Sequence, residues 1–186
     1  LMHQTHSNKV VEINKGNFNK KIYADAMFTK LKGLALAVVT ADCAPILVYE
    51  KNNNTIACIH AGWRGAFSNI IKRTVTKMKK NINSNNIYAC IGPCIGRKSY
   101  EVDATFFKNF LSNSKKNKRY FFKKSKNKML FDLRKFIIDK FLELNVKIDH
   151  VNYDTFQEKN IFFSYRRSRI QKETDYGRCI SVIRLN

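Results

Sequence analysis

The chain holds four histidines, His3, His6, His60 and His150, and five cysteines. Two of these residues have unusual neighbours. Cys43 closes the tetrad TADC at 40–43 beside Asp42, and His60 opens HAGWRG at 60–65. A catalytic zinc site typically takes three protein ligands and keeps a fourth position for water. Cys43, His60 and one histidine from the front of the chain would make such a set. His3 and His6 are three apart and would face opposite sides of a strand, so at most one points at a shared ion. His150, beside Asp149, reads as a surface residue. Zinc so held lowers the pKa of its water to roughly 7. Asp42 has two readings: a carboxylate that moves protons or orients a ligand, and one that caps the turn.

The turn after His60 adds a second chemistry. Gly62 and Gly65 let backbone approach a ligand closely, and a helix starting after Gly65 would offer free N–H groups. Arg64 adds a bidentate donor suited to phosphate. Metal ligands beside an anion cradle suggest group transfer to or from phosphate. Trp63 could stack on a flat base, or simply pack in the core.

These residues need elements to bring them together. Residues 34–39 and 55–59 are short, apolar and rich in Val, Ile and Ala, as buried strands are, and the Asn-rich 51–54 reads as the turn between them. Reactive groups at the ends of neighbouring strands are where open sheets usually place their chemistry. From 66 to 80 the spacing is helical. Further strands are expected at 9–13, 87–92, 146–151, 161–165 and 178–185, with 24–32 ambiguous. Helices are expected from the Asp103 N-cap to Leu111 and over 129–144, with loops at 115–128 and 166–176. This mixed order predicts one α+β domain over residues 1–186, with mixed β-sheets layered with helices.

Composition narrows the classes. Hydrophobic residues make up 44% of the 186 residues, which excludes global disorder. No apolar run reaches the ~20 residues of a membrane span, and no signal peptide is visible. An odd cysteine count without a repeated spacing argues against a disulfide framework and for a reducing, cytoplasmic setting. The C-x3-C pair Cys90 and Cys94 lacks a second pair to complete a zinc clip. The net charge of +21 is spread over every segment. Only 115–128, KKNKRYFFKKSKNK, interleaves cations with aromatics as a nucleic-acid surface does, so a basic RNA-binding module is the non-enzyme alternative.

The strings TADCAPIL, IHAGWRG, GPCIGRKSYEV, FFSYRR and DYGRCISVIRL are similar, in the same order, to the bacterial laccase-domain purine nucleoside phosphorylase family, also called multicopper polyphenol oxidases. The resemblance spans nearly the whole chain from Gln4 onward. It implies an α/β/β/α layered fold with helices outside. It also implies a zinc-dependent enzyme that phosphorolyses adenosine, inosine and methylthioadenosine and deaminates adenosine. Purine nucleosides and phosphate are then the partners. The family's front histidine follows Gln at one residue's remove, which matches Gln4-Thr5-His6 and selects His6. The implied zinc ligands are therefore His6, Cys43 and His60. The residue chemistry above adds Asp42 to these three as a catalytic candidate and gives phosphate binding to Gly62, Arg64 and Gly65. Two departures stand out. The family's usual front segment does not precede Leu1, and Asp154 stands where the family often has Cys, a change expected to touch the pocket wall. Copper-dependent phenol oxidation is the alternative enzyme; His2Cys can hold a blue-copper-like ion, but four histidines are too few for a multicopper cluster.

Overall fold

The computed structural model describes residues 1–79 and 86–186. The front of the chain supplies β1 (Val10–Glu12) and β2 (Ala26–Thr29), followed by β3 (Ala35–Thr40), β4 (Ala44–Glu50) and β5 (Thr55–Ala61). Strand β4 is absent from the sequence expectation, although it is central. The turn at 51–54 exists, but it joins β4 to β5 and not the two strands expected to flank it. The buried Glu50 carboxylate holds this turn, accepting from the Asn52 and Asn53 N–H groups at 3.0 and 2.9 Å. Strand β3 belongs to a different sheet, paired antiparallel with β11 (Cys179–Arg184). The two reactive stretches are therefore neighbours through β4, not through β3.

The expected helix over 66–80 is two helices, α1 (Trp63–Phe67) and α2 (Ile70–Met78). Asn69 adopts left-handed backbone at φ 64° and breaks them, a conformation Asn tolerates better than most residues. The helix begins before Gly65, with Gly62 as its N-cap; Lys80, its expected end, lies outside the described residues.

Next come β6 (Ile87–Ile91), β7 (Glu101–Asp103) and α3 (Ala104–Asn113). Asp103 caps α3, accepting from the Phe106 N–H at 2.7 Å. The expected basic loop is structured: a 3-10 segment Lys115–Tyr120, then β8 (Phe121–Lys123), which pairs with β9 (Lys128–Phe131). The long helix expected over 129–144 gives its first residues to β9, and Asp132 caps the shorter α4 (Leu133–Leu142). Strand β10 (Lys147–His150) follows as expected. Residues 161–165 do not form a strand. Ser164 instead caps α5 (Tyr165–Gln171), accepting from the Arg167 N–H at 3.2 Å, so part of the expected loop 166–176 is helical.

The main sheet has six strands in the order β1-β2-β5-β4-β6-β10, with parallel pairs at both edges and antiparallel pairs between. One face buries Ile46, Val48, Ala57 and Ile59 against the helices through Ile70, Ile71, Val75 and Ile137. The other buries Met27, Ile56 and Cys58 against Leu36 and Val38 of the β3–β11 sheet. The result is the expected α+β class, with one mixed sheet layered between helices and an antiparallel pair of strands. The outer side of the second sheet leaves Ile180 and Val182 exposed. A third sheet, β7-β9-β8, closes over an aromatic cluster of Phe106, Phe110, Phe121 and Phe131. All five cysteines are free. No helix among the described residues is long and apolar enough to cross a membrane.

Candidate metal centre

The β4–β5 register aligns Ala44 with Ala61 and Pro45 with His60. Cys43 thus leaves the end of one strand beside the point where Gly62 leaves the other. A Cβ on Gly62 would lie 2.8 Å from Cys43 Sγ and 3.5 Å from the His6 ring. Glycine there makes room for the site's own side chains. Gly65, expected in an anion cradle, is buried inside α1 and does not line the cavity. A Cβ on it would lie 3.1 Å from the Ser7 carbonyl oxygen, so its small size serves packing of the helix against the front loop.

The ligating atoms of His6, Cys43 and His60 all lie within 4.8 Å of one another. Cys43 Sγ is 3.9 Å from His6 Nε2, and the two imidazole rings meet edge to face at 4.7 Å. His3 is elsewhere, its ring against Tyr23; His150 is exposed on β10.

Sequence reasoning missed Asp25, the residue on which this cluster depends. Wholly buried just before β2, it sits 2.8 Å from His60 Nδ1 through Oδ1. That contact leaves Nε2 of His60 as the ligand atom, the arrangement that orients metal-bound imidazoles. Asp25 also accepts from the N–H groups of Thr5, His6 and Ser7, and from the Thr5 and Ser7 hydroxyls, at 2.7 to 3.2 Å. The loop carrying His6 is therefore folded around one carboxylate, and His6 sits in left-handed backbone at φ 57°. Burial alone would raise the Asp25 pKa, but the hydrogen bonds from His60, Ser7 and Thr5 outweigh it and hold the carboxyl well below its usual range. The signal was an acid inside the apolar string ADAMF.

Burial and neighbouring charges set the protonation of the ligand atoms. Burial, reinforced by His60 and Arg64 against the pull of Asp25, lowers the His6 pKa, which keeps its imidazole neutral for coordination. Burial, with Asp42, Cys94 and Asp25 adding, pushes the Cys43 thiol up to about 12. A metal ion reverses that, because a coordinated thiol is deprotonated outright. Two nitrogens and one sulfur, with a carboxylate behind one imidazole, fit zinc or another borderline cation. Among the described residues this is the one such cluster.

Asp42 does not present a free carboxylate. Its Oδ1 accepts from Thr155 Oγ1 at 2.8 Å and its Oδ2 from the Arg166 N–H at 2.6 Å. Held at φ 87°, it fastens the segment before Cys43 to the first turn of α5. The carboxylate therefore caps no turn of its own; it holds the first turn of a helix far along the chain. Asp154 lies in a separate polar cleft with Arg97 and Arg134, where its carboxylate accepts from Ser99 Oγ.

A cavity of about 530 Å³ opens beside the cluster, lined among others by His6, Cys43, Gly62, Arg64 and Arg166. Trp63, Tyr165 and Tyr176 give it flat walls, the two tyrosine rings being 5.2 Å apart. Tyr100 also lines it; burial raises its phenol pKa, with Cys43 and Asp42 adding and Arg166 opposing.

The whole chain, residues 1–186, matches the family model described as multi-copper polyphenol oxidoreductase laccase. It is 39% identical over 170 residues to a purine nucleoside phosphorylase of Rickettsia prowazekii, covering 90% of this chain and 70% of that one. It is 38% identical over 185 residues to a purine nucleoside phosphorylase of Rickettsia conorii, covering 98% and 76%. The crystal structure of the hypothetical protein YfiH of Bacillus licheniformis superposes with a TM-score of 0.89 at 26% identity, over 100% of this chain and 73% of that one. The chain therefore belongs to the multi-copper polyphenol oxidoreductase laccase family, several of whose curated relatives bear the name purine nucleoside phosphorylase.

Proposed function

We propose that this protein is a zinc-dependent purine nucleoside phosphorylase acting on adenosine, inosine and methylthioadenosine, and that it also deaminates adenosine. The observation that carries this reading is the convergence of His6, Cys43 and the buried His60 beside a cavity that His6 and Cys43 line together with aromatic faces and arginines. The names of the relatives support the phosphorylase part.

Each wall has a task in this reading. The faces of Trp63, Tyr165 and Tyr176 suit a purine ring, whose stacking on aromatics is worth about 1–3 kcal/mol per base. The guanidinium groups of Arg64 and Arg166 suit phosphate. Phosphorolysis joins a phosphate oxygen to C1′ and breaks the C1′–N9 bond, the base leaving with a proton. Deamination adds water at C6 of adenine and expels ammonia. His6, Cys43 and His60 would hold the zinc, which when bound would supply Lewis acidity beside the cavity. Asp25 keeps His60 and the His6 loop in place for it, and Asp42 keeps α5 against the Cys43 segment.

Copper oxidation of phenols fits less well, because a single three-residue ligand cluster occurs among the described residues and a multicopper site needs several. The test incubates metal-defined protein with adenosine, with and without phosphate, and separates the products. Inosine is expected in both samples; free base and ribose 1-phosphate are expected only with phosphate. Neither product from the zinc form, together with phenol oxidation by a copper-loaded form, would overturn the proposal.

A further inference from the structure

We infer that Arg166 is the residue that anchors the phosphate co-substrate, a role that no residue pattern assigned to it. The inference rests on the phosphorolytic reading above and names the group that holds its anion.

Two arginines reach the cavity, and they differ in how they are held. Arg64 is exposed, its guanidinium lies 5.4 Å from the Trp63 ring, and no hydrogen bond among the described residues fixes it. Arg166 is half-buried and tied at three places. Its backbone N–H donates to Asp42 Oδ2 at 2.6 Å, its Nη1 donates to the Glu101 carbonyl at 2.9 Å, and its guanidinium lies 5.5 Å from the Tyr100 ring. One of the five N–H donors of the guanidinium is used by Glu101, and the side chain still lines the cavity.

A planar fork held this way has already lost the rotamer freedom that binding would otherwise cost. Its anchoring is also shared with the metal cluster. Asp42, which holds the Arg166 backbone, is the residue next to the ligand Cys43. An anion on Arg166 is therefore kept at a fixed position relative to the cluster, as attack on a bound nucleoside requires. The left-handed φ of 87° at Asp42 is the kind of backbone that persists only where surrounding contacts over-determine it. Thr155 and Arg166 supply those contacts.

The experiment measures inorganic phosphate binding to the zinc-loaded protein by calorimetry, without nucleoside, and separately the KM values for phosphate and inosine. Arg166→Ala is expected to weaken phosphate binding at least tenfold and to raise the phosphate KM to match, with the inosine KM moving less than threefold. Arg166→Lys, which keeps the charge and loses the fork, is expected to fall between the two. It also guards against Arg166→Ala failing to fold once the tie to Glu101 is gone. Wild-type phosphate affinity in folded Arg166→Ala, or equal losses for phosphate and inosine, overturns the inference and leaves the phosphorylase reading intact. A wild type that binds phosphate through Arg166 but turns over no nucleoside supports the anion site while sinking the proposed activity.

Discussion

At the scale of single residues, the site is built from groups whose roles depend on their neighbours more than on their type. Cys43 alone is a half-buried thiol with a pKa pushed up to about 12, and His60 alone is a buried imidazole. Asp25 turns the pair into a ligand set by fixing His60 and by folding residues 5–7 over itself. Replacing it with Asn keeps the size and removes the charge. Outer partners of this type usually contribute 10–100-fold to metal affinity, so Asp25→Asn is expected to lose zinc affinity by about that factor. Chelator competition on the folded variant measures it. Unchanged affinity would mean that the loop and His60 are held by packing alone.

At the scale of elements, what was legible followed the local pattern. Strands β5, β6 and β11 came from apolar runs and the cap of α3 from one aspartate. His6, Cys43 and His60 were named from ligand chemistry and the resemblance, and the structure brings them together. What escaped depends on distant partners. Strand β4 follows the TADC tetrad so closely that its apolar run merges with the reactive stretch. Arg166 carries no local signal, because the carboxylate that holds it lies 124 residues away, and the acid in ADAMF marks Asp25 without naming its partners, of which His60 is 35 residues away. The basic stretch after α3 read as a loop because Tyr120 and Phe121 hide their packing among lysines. In that lobe Asp139 of α4 accepts from Tyr120 Oη and Lys135 Nζ, with Arg119 alongside at 3.0 Å. Burial would raise its pKa, but Lys135 and Tyr120 outweigh that and lower it. A carboxyl lowered on folding stabilises above its unfolded value near 4, and that stability is lost as pH falls through the folded value. Asp139→Asn is expected to cost about 1–3 kcal/mol at neutral pH, from partners left unpaired. Its melting temperature should also decline less than the wild type's between about pH 5 and 3. Thermal melts across that range check both; parallel declines would place the acid sensitivity elsewhere.

At the scale of the whole molecule, the charge of +21 is a field rather than a face. Exposed lysines occur on β9, β10, α2, α3 and the 3-10 segment alike, and some are paired locally, as Lys124 and Lys128 share the carboxylate of Glu101. Such a field raises the concentration of small anions around the molecule without selecting a surface. In the proposed reaction the two substrates respond to it differently, since phosphate is an anion and inosine is neutral. Salt shortens the reach of the field from about 10 Å at 0.1 M to about 3 Å at 1 M. Raising sodium chloride from about 0.05 to 0.5 M is therefore expected to increase the phosphate KM roughly three- to tenfold while the inosine KM stays nearly constant. Steady-state kinetics at fixed pH and zinc content measure both. If the two constants rise together, salt is acting on the cavity or the fold. If neither moves, Arg166 and its immediate neighbours bind phosphate without help from the distant charge.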